Sequence, residues 1–233
     1  FEDERFLRGN GRYVADINRE NQLHAKIVRS IHGHARIIDI DISEALTVEG
    51  VSGVYVEGDL AKDGVGPLPC TTKFVAEQPL VVAERYALAR DKVRYVGDPV
   101  ALVLAETEMA AQAAAELVVV DYETLPVSVN PVNSMQDDSP LIWSNAPKNI
   151  AYRFIKGEKG PTLASFDEAA HIVELDIENN RVMALPIEPR AGLGEYDPEN
   201  DVMRLICTAQ GVHAIREQLA LSLIHISEPT RPS

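Results

Sequence analysis

The chain has 233 residues, enough for one or two domains with a sizeable core, and its 45% hydrophobic and 25% charged residues are ordinary globular usage. A formal net charge of −14 argues against a nucleic-acid or anionic-membrane surface, since both need a basic footprint. No apolar run has the length of a membrane span, no signal peptide is visible although the chain begins at Phe1, and the two cysteines, Cys70 and Cys207, have no metal or iron–sulfur spacing.

Residues 1–10 form a charged lead-in that runs into the turn-like Gly9-Asn10-Gly11. Residues 13–17 start a strand, and residues 23–28 and 35–40 read as two more, the last carrying β-branched Ile37, Ile38 and Ile40. The spacing of Asp41 and Glu44 matches a capping box and predicts a short helix over residues 43–47, ahead of a strand at 51–56. His24, His32 and His34 lie close in sequence. With no thiol or carboxylate partner at ligand spacing, they read as exposed or strand-packing side chains rather than a metal site.

From residue 58 to 79 periodicity is lost and glycine and proline collect, which predicts a long loop. Strands are expected at residues 92–96 and 100–105, flanking Gly97-Asp98-Pro99. Thr107 is placed to cap an alanine-rich helix over residues 108–116, and residues 117–122 should then form a buried strand. Strand, helix and strand in that order fit a crossover unit. Residues 126–148 read as a connector that includes the single tryptophan, Trp143, which is better suited to cover a domain junction than to bind a ligand. Beyond it, a strand is expected within residues 149–155 and a short helix over residues 166–170 after Pro161. Val173, Leu175 and Ile177 alternate with Glu174, Asp176 and Glu178, which predicts a half-exposed strand.

The segment from Pro186 to Gln210 predicts a β-hairpin. Its arms are residues 192–196 and 202–208, with Asp197-Pro198-Glu199-Asn200 as the turn. The second arm looks buried on both faces, ends at Thr208-Ala209-Gln210, and leads into a helix that begins near Gly211. A polar amide at the end of such a strand is a candidate site residue. It could equally cap backbone groups, and the residues alone leave both readings open.

Several stretches then converge on one family. EDERFLRGNGRYVADI, LHAKIVRSIHGHARI, KVRYVGDPVALVLAET and LVVVDYETLPVSVNP are followed by EPR at Glu188–Arg190, by EYDP, and by T-x-Q-G-x-H from Thr208 to His213. In this order they resemble the large subunit of the molybdenum hydroxylases, the xanthine dehydrogenase and aldehyde oxidase family. The bacterial branch that includes carbon monoxide dehydrogenase large chains is the nearer likeness. The resemblance implies an α/β (α+β) fold, with an a/b hammerhead domain over residues 11–125 followed by the truncated start of a molybdopterin-binding domain over residues 149–220. It also implies a cytoplasmic oxidoreductase that hydroxylates an aldehyde, N-heterocycle or similar small substrate, or oxidises carbon monoxide, with water as the oxygen source. Its implied cofactor is molybdenum–molybdopterin, in the cytosine dinucleotide form. Its implied partners are an iron–sulfur small subunit carrying 2Fe-2S and a medium subunit carrying FAD.

By the same resemblance Gln210 is the cofactor-binding residue, its amide lying beside an oxygen ligand of the metal. Glu188 falls in the EPR motif, where a structural ion pair or backbone contact is implied rather than the role of base. No catalytic residue is assigned, because the family's glycine-rich segment and its base glutamate have no match here. A chain with so few of the site's groups is expected to be inactive alone. Residues 221–233, LSLIHISEPTRPS, look like the in-frame translation of a sequencing-library transposon adapter and are read as non-native, with residues 221–223 assignable to either side. The alternative reading of the whole is a non-catalytic hammerhead-like module that binds or scaffolds a partner subunit.

Overall fold

A computed structural model describes residues 3–70, 80–180 and 182–223 of the chain. Most of the adapter-like tail, from residue 224 onward, lies outside the described residues, as does the part of the expected loop at residues 71–79. The chain divides into two compact units, one of residues 19–153 with 211–233, the other of residues 1–18 with 154–210.

The first unit is built on two three-stranded antiparallel sheets. In one, β5 (Pro99–Ala105) lies between β1 (His24–Arg29) and β3 (Val51–Val56). Val103 stands opposite Lys26 on one side and Val54 on the other. β5 is central because PVALVLA carries no charge and hides Val100, Ala101, Val103 and Ala105 completely, as a strand covered on both faces must. Gly53 in β3 leaves room for the Tyr55 ring, whose hydroxyl would stand 2.8 Å from a Cβ at that position. In the second sheet β2 (Ala35–Asp41) lies between the two-residue β4 (Lys92–Val93) and β6 (Val119–Thr124), and the cross-strand pair Arg36–Glu123 closes to 2.9 Å on its exposed face. Against the sheet of β1, β5 and β3, α3 (Glu108–Leu117) turns Ala111 and Ala114 inward, three residues apart on one face. Two buried clusters result, one around Val54, Val103 and Val118, the other around Ala35, Val93 and Val100. Ile40 and Val120 pack against both and join them into one core.

Several expectations are corrected here. Residues 14–16 form a 3-10 turn rather than a strand, because the Asp16 carboxylate accepts the Tyr13 backbone N–H at 2.9 Å. Asp41 accepts from the Ser43 backbone instead of forming a capping box with Glu44, and the helix shrinks to one 3-10 turn over Ala45–Thr47. The expected loop opens with α2 (Glu57–Lys62), started where Asp59 accepts the Val56 N–H at 3.1 Å. Its first residue, Glu57, is buried and receives both Nε and Nη2 of Arg90, at 2.9 and 2.7 Å, while Arg90 also stacks on Tyr86. β4 is short because the Arg94 backbone N–H donates to Asp98 at 2.9 Å and bends the chain. β6 is half-exposed rather than buried, with Val119 open to solvent. It lies in the opposite sheet from β5, so strand, helix and strand connect two sheets and do not form a parallel crossover.

The connector is pinned rather than loose. Asn149 accepts from Ile142 N and donates to the carbonyls of Ser134 and Pro140, at 2.9–3.0 Å. Trp143 lies under the Arg94 guanidinium, 3.8 Å from the ring centre, which ties the connector to the end of β4.

In the second unit α4 (Lys159–Asp167) begins two residues before Pro161, and no strand forms at residues 149–155 or 173–178. The alternation at 173–178 is a valid local signal, but no described strand lies beside it to complete a ladder. The hairpin forms as expected, β7 (Gly192–Asp197) against β8 (Val202–Cys207). β8 is largely exposed rather than buried, since β7 is its one neighbour among the described residues. The turn is built by Asp197, whose Oδ1 accepts from the backbone of Glu199 and Asn200 and whose Oδ2 accepts from the Asn200 amide. These bonds, the Asn200 side chain first, hold the Asp197 carboxyl below its ordinary value. The helix α5 (Val212–Leu223), next in the chain, belongs to the first unit.

Two outcomes are expected. Thr107 Oγ1 accepts from Ala110 N at 3.1 Å, so Thr107→Ala should lower the stability of the first unit by about 1 kcal/mol in urea unfolding, and Thr107→Ser should restore most of it. Because the folded Asp197 value is lowered, its support for the turn is complete above the ordinary value of 3.8 and is lost as pH falls through the lowered one. NMR of the Glu199 and Asn200 amides should show that acid transition, and Asp197→Asn should remove it.

Candidate functional site

The hairpin brings the two motif segments of the second unit together. Beyond the last paired residue, Cys207, the ladder is extended by Thr208, whose N–H donates to the Ala191 carbonyl and whose hydroxyl donates to the Pro189 carbonyl, both at 3.4 Å. Thr208 therefore lies alongside the EPR segment, nineteen residues earlier in sequence at Pro189. Two residues on, at the end of this strand, Gln210 is exposed, so its carboxamide is available to a ligand rather than consumed in the core. A neutral amide offers two N–H donors and one acceptor, which suits an oxygen-rich or anionic group without adding charge.

Glu188 has a different task. It is half-buried, and its Oε1 accepts the backbone N–H of Val14 at 3.2 Å. That contact spans 174 residues of sequence and fastens the 3-10 turn near the N-terminus to the EPR segment. A carboxylate occupied by a backbone donor is a structural anchor, the role implied for it from the motif. Arg190 is exposed.

The remaining candidates do not join them. His34 is buried, with Nδ1 2.8 Å from the Pro126 carbonyl, and His32 meets the Tyr122 ring edge-on at 4.9 Å; both are packing roles. Among the described residues no three His, Cys, Asp or Glu side chains gather as a metal-ligand set. What these residues offer a bound cofactor is the exposed Gln210 carboxamide, which can donate to it and accept from it. Cys207, paired in register with Gly192, and the exposed Cys70 are free thiols. An open cavity of about 430 Å³ lies at the turn end of the hairpin, lined by Glu195, Tyr196, Asp197, Pro198, Val202 and Arg204, and is at the far end from Gln210. Sequence reasoning missed Thr208 and Val14. The first was legible in the T-x-Q motif itself, whereas the backbone contact of Val14 has no local signal.

Comparison with known proteins identifies the family. The family model for the aldehyde oxidase and xanthine dehydrogenase a/b hammerhead domain matches residues 8–126, and that for the molybdopterin cofactor-binding domain matches residues 142–228. The nicotine 6-hydroxylase large subunit of Paenarthrobacter nicotinovorans is 36% identical over 95% of this chain and 26% of its own length. The carbon monoxide dehydrogenase large chain of Afipia carboxidovorans is 32% identical over 94% of this chain and 28% of its own. Among solved structures, quinoline 2-oxidoreductase from Pseudomonas putida 86 matches with a TM-score of 0.83 at 29% identity, covering 96% of this chain and 28% of that one. The chain therefore spans about a quarter of the length of the relatives it matches. These relatives are enzymes by name, so a free-standing scaffold module is not favoured. A hammerhead domain followed by the start of a molybdopterin-binding domain places this chain in the aldehyde oxidase and xanthine dehydrogenase family, the molybdenum hydroxylases.

Proposed function

We propose that the chain is the N-terminal part of the molybdenum-cofactor subunit of an oxidoreductase. The substrate class is an aldehyde, an N-heterocycle or a similar small molecule to be hydroxylated, or carbon monoxide to be oxidised, with water as oxygen source. The observation that carries the reading is the exposed Gln210 carboxamide at the end of β8, beside a segment anchored by Glu188. The cofactor, when bound, supplies a redox centre that accepts the electrons released as oxygen is added to the substrate. The chain's own share is positional. The Gln210 NH₂ would donate to an oxygen of the bound cofactor, while Thr208 holds the strand end against Pro189 and Glu188 fixes the EPR segment through the Val14 N–H.

The finer proposals follow the family. The pterin is the cytosine dinucleotide form, and electrons leave through a 2Fe-2S cluster and FAD on partner subunits. Relatives named as large or gamma subunits support an assembly of several chains. The free thiols of Cys70 and Cys207 suit a reducing cytoplasm. Among the described residues no helix is long and apolar enough to cross a membrane.

In the full-length subunit, Gln210→Ala should lower kcat by about 10²–10³-fold, the usual effect of deleting one preorganised donor, while molybdenum content measured by mass spectrometry stays unchanged. Glu188→Gln keeps an acceptor oxygen for Val14 and should leave turnover close to the original. Loss of turnover in Glu188→Gln with the fold intact would show that this carboxylate acts as a base. The 233-residue chain by itself should purify without stoichiometric molybdenum and should not reduce dyes with aldehyde substrates, because one positioning amide is a small part of a site assembled from several segments.

A further inference from the structure

The chain holds a single Asn-Gly pair, Asn10–Gly11, just after the short helix α1 (Asp3–Leu7). Both residues are exposed. The Asn10 N–H donates to the Arg5 carbonyl at 2.8 Å, whereas the Gly11 N–H meets no acceptor among the described residues. That nitrogen is within reach of the Asn10 side-chain amide carbon, and Gly11 has no Cβ to obstruct ring closure. Most other asparagines are guarded. The N–H groups that follow Asn21, Asn133, Asn145 and Asn149 are donated to carbonyls at 2.9–3.4 Å. Asn130 precedes a proline, which has no N–H, and the Asn200 side-chain amide is held by Asp197.

We propose that Asn10–Gly11 is a self-modification site, at which the chain converts Asn10 to isoaspartate without an enzyme. The Gly11 nitrogen gives up its proton to solvent base and attacks Asn10 Cγ. The bond from Cγ to the side-chain nitrogen breaks, ammonia leaves and a succinimide ring closes. Water then adds to the ring carbonyl that was the Asn10 main-chain carbonyl, and its bond to the Gly11 nitrogen breaks. The main chain now runs through Cβ and Cγ, and the old carbonyl is a free carboxylate, so a charge of −14 becomes one more negative. Gly11 leaves room for the Phe6 ring, whose Cδ1 would stand 2.9 Å from a Cβ at that position. The extra main-chain carbon moves Gly11 off that ring. The Tyr13–Asp16 and Val14–Glu188 bonds lie beyond it and confine the change to the lead-in. No cofactor takes part, so this site stands or falls separately from the catalytic proposal.

The test is to hold the 233-residue chain in warm, mildly alkaline buffer and to map its peptides by mass spectrometry. The peptide that contains Asn10 should gain one mass unit before any other asparagine peptide does, and should then accept a methyl group from a protein isoaspartate methyltransferase, used as the probe. In the converted chain the NMR contact between Gly11 and the Phe6 ring should vanish while the Val14 amide signal stays in place. Asn10→Gln, whose longer side chain closes a ring less readily, should lose the mass gain. In urea Asn133 should close part of the gap, because the Ser134 N–H is released from the Asn130 carbonyl. Earlier conversion at another asparagine, a converted peptide that is not methylated, or a mass gain undiminished in Asn10→Gln overturns the proposal. So does a Gly11–Phe6 contact that survives conversion, or a gap between Asn10 and Asn133 that urea leaves unchanged.

Discussion

The structure of the first unit depends on the burial of four residues of β5. Val100, Ala101, Val103 and Ala105 have no exposed surface, so the strand must have a neighbour on each edge and cover on each face. β1 and β3 supply the edges, and α3 approaches closely because Ala111 and Ala114 present little bulk. Each buried valine contributes roughly 1.5–3 kcal/mol relative to exposure, so a few fully hidden residues decide the arrangement of the whole unit. The second sheet shares this core through Ile40 and Val120, so one strand's composition reaches both layers.

Local chemistry was legible where a single residue acts on its own neighbourhood. β3 lies at the expected residues, and α3 begins where Thr107 was expected to cap it. The hairpin turn was readable from Asp197, Pro198 and Asn200 because its bonds reach no more than three residues. Aspartates misled elsewhere. Asp16, Asp41 and Asp59 each capture a nearby backbone N–H, which turned an expected strand into a 3-10 turn, reduced a helix to one turn and opened a helix inside an expected loop. Asp98 shortened β4 in the same way.

The site was legible in a different sense. Gln210 and Glu188 came from motif resemblance, and the fold adds what each can do: one side chain is open to solvent, the other is held by the Val14 N–H. No periodicity or spacing could announce a contact between residues 174 positions apart. The alternation at 173–178 is the converse case, a clear pattern with no described strand beside it. Pattern shows what a segment is able to form, and pairing depends on what else is present.

Trp143 is the chain's single tryptophan, and it sits against the Arg94 guanidinium at the junction of connector and sheet. Its indole emission is therefore a one-site optical probe. A charged group 3.8 Å from the ring centre perturbs the excited state, so lifting the connector from β4 changes brightness and colour with no added label. Stopped-flow fluorescence on the unsubstituted protein thus follows the docking of one segment onto one strand, with no second indole to confuse the trace.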